Sequence, residues 1–391
     1  MTMLKFQNKN VLEFDLDNMY LKIWNKNFLP VVLRDALFEM PNSYNNSNSK
    51  KSVDEIMKMD RQNIANMNYF FKNRIMSFSR THAKQILNAL LVDQFPDDQN
   101  IMRLMFLCKG LSIADDYWLT NNPNEKWEDV NLRENPLHTT LANVALWGIT
   151  PPIITGEIRT PELTNQGSFA KAWKRNKDNG KLYLLKTSSN NKESEREVSV
   201  SNLLNYTNVP HVRYYGKRIK NKYVSICENI VNSSRSIVTA HNLMSWCIRT
   251  QKDWVAETKK IDAKTFGKML IVDFIVSNSD RHNGNWGFFM DADTGNLTQC
   301  HPLFDHNLAF NKETMQDKEG LQSLTLKWMT KYEAAKSALS YADFQINPEI
   351  PRDVFLQPSH AESFLKKCDM LGFKVKMISA SSSAFNSFNR K

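Results

Sequence analysis

The sequence lacks most of the features that settle a compartment or a chemistry at once. No run approaches the ~18 apolar residues of a spanning helix, so a membrane protein is not expected. The amino terminus, MTMLKFQNKNVLEFDLD, has neither the apolar stretch nor the small-residue cleavage site of a secretory signal, and a cytoplasmic protein is expected. The five cysteines, Cys108, Cys227, Cys247, Cys300 and Cys368, are odd in number and far apart. Neither a disulfide framework nor a CxxC metal site follows, and reduced, buried or half-buried thiols are expected. No repeat of about 20 to 50 residues occurs, which excludes a solenoid. HExxH, GxSxG and GxxxxGK[ST] are all absent, removing zincin, hydrolase-elbow and Walker-type chemistry. DADTGN (Asp291 to Asn296) hints at calcium, but its glycine falls fifth and Pro302 stands where an EF-hand needs its glutamate. A hairpin turn is expected instead.

With 41% hydrophobic and 24% charged residues, the chain reads as an ordinary folded protein long enough for two or three domains. Its formal charge of +10 suits nucleic acid, anionic lipid or an acidic protein. The excess is dispersed: its densest pieces, KAWKRNK (Lys171 to Lys177) and GKRIKNK (Gly216 to Lys222), are short and sit beside strand-like segments. Direct nucleic-acid binding is therefore not expected.

Pro41 to Ser52 is polar and turn-rich, a loop or disordered insertion, and residues 381–391 read as a loose tail. Residues 53–115 carry helical spacing, as in Ala83, Ile86, Leu87, Leu90 and Leu91. After Pro136 come the β-rich pieces LYLLK, VRYYGKRI and KYVSICENI, the last two joined by a Lys-Asn hairpin junction. A helix over 192–209 is expected to pack on that sheet. From Ala240 onward the pattern is helical, interrupted by a hairpin built from WGFFM and LTQC. The fold class expected is α+β: a β-rich lobe over 136–235, a helical lobe over 236–380 and a mainly helical accessory region over 1–135. The cleft between such lobes is the usual ligand site.

The stretch IVDFIVSNSDRHNGNWGFF, Ile271 to Phe289, is an apolar helix that ends in a polar cluster. Phosphoryl transfer needs a carboxylate within reach of the attacking hydroxyl and hard oxygen ligands for Mg²⁺. Asp280 supplies the first. Asn285 and then Asp305, in PLFDH after the hairpin, supply the second. The competing reading is a polar helix end with His282 and Asn285 capping backbone groups; the order Asp280, Asn285, Asp305 favours catalysis. Asp273 is read as a structural hydrogen-bonding group and His282 as loop scaffolding. Arg281 is either a salt-bridge partner or a phosphate contact. Lys171 and Lys174 are read as a solvated face.

NSDRHNGN followed by LFDH resembles the catalytic and metal-binding segments of HipA-like and phosphatidylinositol 3-/4-kinase-like atypical kinases. GLSIADDYWLT, KWEDVN, ALWGITPP, GSFAKAW, YLLK and SICENI extend the resemblance to the HipA-like bacterial kinases called CtkA-like, over most of residues 60–310. The resemblance implies a bilobal protein-kinase-like fold. It also implies an ATP- and Mg²⁺-dependent serine/threonine kinase acting on a protein. In its terms Lys186 contacts the nucleotide phosphates and Glu197, with Glu195 as rival, is the ion-pair partner of Lys186. Leu163 to Lys174 is the phosphate-covering loop, with Gly167 facing the phosphates. Ser168, or less so Thr164, is the position for loop autophosphorylation, and Cys227 to Ile230, including Glu228 and Asn229, is the adenine hinge. A lipid or small-molecule kinase, or a nucleotide-binding pseudokinase in a toxin–antitoxin or phage-defence setting, are the alternatives. The implied partners are a protein substrate and a cognate antitoxin or regulatory protein.

Overall fold

A computed structural model describes residues 1–40, 52–150, 152–156, 158–190, 192–316 and 321–379. Apart from Ser52, the loop expected over 41–52 and the tail over 381–391 lie outside the described residues. The chain divides into two compact units. One comprises residues 1–186, 229–254 and 289–298, the other 187–228, 255–288 and 299–391.

The first unit opens on strands β1 (Thr2–Phe6), β2 (Lys9–Asp15) and β3 (Tyr20–Ile23). They replace part of the helical region expected over 1–135, and their pattern is faint because each shows only two or three apolar residues beside charged ones. Helices α1 (Val53–Arg74), α2 (Ala83–Ala89) and α3 (Asp98–Leu107) follow, in the region read as helical. Ser52 and Glu55 form a reciprocal capping box that starts α1, satisfying amides that the first turn cannot pair. Strand β4 (Tyr117–Thr120) completes an antiparallel sheet of order β3-β2-β1-β4. After α4 (Trp127–Val130) and α5 (Thr139–Trp147) come β5 (Ala170–Arg175) and β6 (Leu182–Thr187). Leu111, Ile113, Trp118, Trp127, Val130, Leu132 and Leu182 share one apolar cluster. GLSIADDYWLT and KWEDVN thus do structural work. Asp115 takes a two-pronged ion pair from Arg74, at 2.6 and 2.7 Å, and Asp116 is paired with Arg133 at 2.5 Å.

In the second unit, α6 (Lys192–Leu204) is the helix expected there, and β7 (Tyr214–Ile219) and β8 (Lys222–Glu228) form a hairpin. Its two turn residues, Lys220 and Asn221, have φ of +49° and +62°, the left-handed pair whose twist suits a tight hairpin. In the first unit, β9 (Arg235–Thr239) and α7 (Ala240–Arg249) precede α8 (Trp254–Ile275). Helix α8 kinks at Asp262, whose carboxylate accepts from Thr265 N at 3.0 Å and Cys300 N at 3.1 Å, restarting the helix. Beyond the kink Phe266, Met269, Leu270, Ile271, Val272, Phe274 and Ile275 are all buried. A helix that buries seven large apolar residues in ten positions is a core helix. Phe266 packs against Trp286 with the rings tilted, 5.2 Å between centroids.

β10 (Gly287–Asp291) and β11 (Leu297–Cys300) enclose DADTGN. Gly295 has φ +73°, and the Asp291 carboxylate accepts from Thr294 N at 2.8 Å. This is the expected hairpin turn. Helices α9 (Lys312–Gln316) and α10 (Lys331–Ala338), strand β12 (Glu349–Pro351), helix α11 (Pro358–Met370) and strand β13 (Lys376–Ile378), parallel to β12, complete an α+β chain. All five cysteines are free and buried. Among the described residues no helix is long and apolar enough to cross a membrane.

Candidate active site

The polar cluster begins where α8 stops. Ser277, φ +52°, takes the left-handed turn. Ser277 N bonds Phe274 O at 3.1 Å and Asn278 N bonds Asp273 O at 2.9 Å. These two bonds define a Schellman ending, with serine in a place glycine usually takes. The Ser277 hydroxyl accepts from the buried Lys367 Nζ at 2.8 Å, and its carbonyl from Thr314 Oγ1 at 3.0 Å. The chain is thereby thrown sharply off the helix axis into the loop that carries Asp280.

Arg281 organises that loop. It is 2% exposed; its Nε donates to both Asp273 oxygens, at 3.0 and 3.2 Å. Nη1 donates to Asn285 O and to Phe304 O, each at 2.7 Å, and Nη2 meets His306 Nε2 at 2.8 Å. One guanidinium therefore fixes the backbone of Asn285 and that of the residue before Asp305. Between the two readings of Arg281, the salt-bridge partner is the one realised. Asp273 has the structural role expected of it, accepting also from Asn278 Nδ2 at 2.8 Å. His282 is exposed, and its Nδ1 accepts from Gly284 N at 3.1 Å, the scaffolding expected.

Asn285 donates Nδ2 to Asp280 O at 3.0 Å, which leaves its amide oxygen as the end that can meet a cation. Asp305 stands at φ +61°, a backbone that costs a non-glycine residue of order 1 kcal/mol and recurs at functional sites. Burial, and next among the raising influences the nearby Asp305 charge, hold the Asp280 carboxyl above the usual carboxylate range, while His282, Arg281 and Lys331 pull it down. Lys331, itself buried, donates to Asn278 O at 2.5 Å. Two carboxylates that repel each other and one amide oxygen suit a hard dication. Among the described residues no group of three or more His, Cys, Asp or Glu gathers around one point. Mg²⁺ characteristically takes one or two protein oxygens plus phosphates and water.

Glu197 is 1% exposed and accepts from Ser225 Oγ at 2.7 Å, whereas Glu195 is only half-buried; α6 turns Glu197 inward. The Tyr214 phenol, which no sequence motif marks, is pushed well above its usual value by burial and then by Cys227, Glu197 and Asp305. Glu197 and Asp305, distant in sequence, thus act on one buried phenol within the second unit.

The remaining expected residues belong to the first unit, except Glu228. Lys186 is 6% exposed, which removes the solvated-edge reading. Gln166, Gly167 and Ser168 are exposed at the tip of the loop. Gly167 has φ +96°, and a Cβ there would run into Lys171 Nζ. Thr164 is buried with its hydroxyl donated to Leu111 O at 2.6 Å, so Ser168 is the accessible hydroxyl. Lys171 is buried and bonds Gln166 O, and Lys174 reaches Asn143 Oδ1 at 3.0 Å. The solvated-face expectation is thus corrected, since both ammonium groups are turned back onto their own unit. Asn229 N is committed to Leu182 O at 2.9 Å and its side chain to Val231. Glu228, in the second unit, is exposed.

Neither a scan of family models nor a search of curated proteins finds a match. Among solved structures, one similar chain is the Helicobacter pylori proinflammatory kinase CtkA: 18% identity, TM-score 0.39, 52% of this chain and 90% of that one. Another belongs to the Shewanella oneidensis MR-1 toxin–antitoxin complex of HipA, HipB and operator DNA: 12% identity, TM-score 0.45, 95% and 89% covered. At such scores the roles of residues rest on this chain's own chemistry. CtkA and HipA are thus proteins to which this chain is similar in structure.

Proposed function

We propose that this protein is an ATP- and Mg²⁺-dependent kinase of HipA-like type that transfers the γ-phosphate to a serine or threonine hydroxyl of a protein. The supporting observation is the Arg281 node, which holds Asn285 and the approach to Asp305 against the loop of Asp280. In this reading Asp280 orients the attacking hydroxyl and accepts its proton, helped by a carboxyl held above the usual range. Asn285 and Asp305 hold Mg²⁺, which when bound neutralises charge on the transferring phosphoryl group. Lys186 meets the nucleotide phosphates, Glu197 orients Lys186, the loop around Gly167 covers the phosphates and the backbone at Glu228 and Asn229 meets the adenine. The proposal includes a kinase-like division into lobes at 136–235 and 236–380, with 1–135 accessory. It also includes a protein partner of antitoxin or regulatory type.

The test is intact mass of the purified chain after incubation with ATP and Mg²⁺, beside Asp280→Ala. Added phosphate in the wild type alone is expected, with far-UV circular dichroism unchanged between the two. Equal phosphate in both removes Asp280 from its role. With γ-labelled ATP and a cell extract, label in lipid or small molecules in place of protein selects the other kinase class. ATP binding without any transfer selects a pseudokinase.

A further inference from the structure

The segment between α1 and α2, Ile75 to His82, has no part in the chemistry proposed above. It is nevertheless bonded along the whole loop that would cover the phosphates. Met76 N donates to Leu163 O at 2.7 Å, and Gln166 Nε2 to Ile75 O at 2.6 Å. Thr81 places both its N–H (2.9 Å) and its hydroxyl (3.0 Å) on Ser168 O. Arg80 lies beneath. Its Nη1 donates to Glu162 O at 3.0 Å and Asn165 O at 3.3 Å, and its Nη2 to Lys171 O and to Glu162 Oε2 at 3.5 Å. The other Glu162 oxygen accepts from Trp173 N at 3.0 Å. The Arg80 and Glu162 side chains are both 0% exposed.

A fully buried ion pair is poor evidence of a gain in stability, because desolvating two charges offsets their attraction. Here its geometric effect is clear: the carbonyls it gathers lie on both stems of the loop, at 162 and 165 on one side and 171 on the other. Both stems are held while the tip, Gln166 to Ser168, is exposed. We infer that Arg80, with Thr81, is a positioning residue: residues 75–82 clamp the loop over 162–171 and set its tip for the nucleotide's phosphates. The inference rests on the kinase reading for the ligand but not for the clamp.

Two readouts test it in the full-length chain, on Arg80→Gln and Thr81→Val. The first is amide hydrogen exchange without nucleotide. Exchange over 166–170 is expected to rise about tenfold in Arg80→Gln and less in Thr81→Val, with β1–β4 unchanged. The second is the ratio of ATP to adenosine affinity, which is independent of the folded fraction. It is expected to fall about tenfold in Arg80→Gln, because only ATP reaches the loop. Unchanged exchange over 166–170 in whichever variants fold overturns the clamp. Faster exchange with an unchanged affinity ratio overturns its role toward phosphate. A wild-type chain that binds no ATP removes the kinase reading instead, and the exchange result still decides the clamp.

Discussion

Arg281 and Arg80 perform the same physical task in different units. Each is buried, faces one carboxylate and donates to carbonyls of an irregular loop. They differ in grip. Arg281 meets Asp273 at 3.0 Å, and the loop it holds carries a half-buried Asp280 and a buried Asn285. Arg80 stands 3.5 Å from Glu162, and the loop it holds ends in three exposed residues. The contrast teaches that the loop read as chemical keeps Asp280 half-buried and Asn285 buried, with His282 exposed between them, whereas the loop read as a cover is held at its stems and exposed over its three-residue tip. That is the division expected if one loop must hold a geometry and the other must admit a ligand.

The largest expected break of this comparison is Arg281→Ala. It strands Asp273 and two carbonyls in the interior and should cost about 3–5 kcal/mol, read as a lower urea midpoint with transfer lost. Arg80→Ala, with the longer ion pair, should cost less in the same titration. An equal or greater loss would erase the difference in grip.

Acid sharpens the comparison next. His301 is stacked on Phe304, 4.8 Å between centroids, and burial and then Arg281 pull its pKa from 6.5 down to about 4. The folded value lies below the unfolded one. The unfolded chain therefore takes up a proton first, and stability present above pH ~6.5 is lost as pH falls toward ~4. At one pKa unit per 1.36 kcal/mol the loss approaches ~3 kcal/mol. Urea midpoints across this window should show it for the wild type and much less for His301→Phe.

The smallest expected effect has the opposite sign. Asp305→Gly relieves a left-handed backbone and should leave stability unchanged or raise it by up to about 1 kcal/mol, while phosphoryl transfer disappears. A clear loss of stability would mean that Asp305 is held by structure and not kept for function.

Much of the local structure around the candidate site was legible. The cluster after α8 stood out because an apolar helix does not end in Asp, Arg, His and three Asn without cause, and the Lys-Asn junction announced its hairpin through local backbone preference. The inward register of Glu197 over Glu195 was not legible, since acidic residues two apart on a short helix look alike until a sheet covers one face. Strands β1–β3 escaped because their alternation is brief and charged residues interrupt it.

By itself the sequence determined the local and the chemical: the helix end, the turns, and the order of Asp280, Asn285 and Asp305, all carried by neighbours within a few dozen residues. Only the tertiary structure decided which polar groups are sealed from water. Arg80 finds Glu162 across 82 residues and Lys171 across 91, and Lys171 turns inward where a surface lysine was expected. Burial is a property of packing between distant segments, and no spacing rule in one chain encodes it.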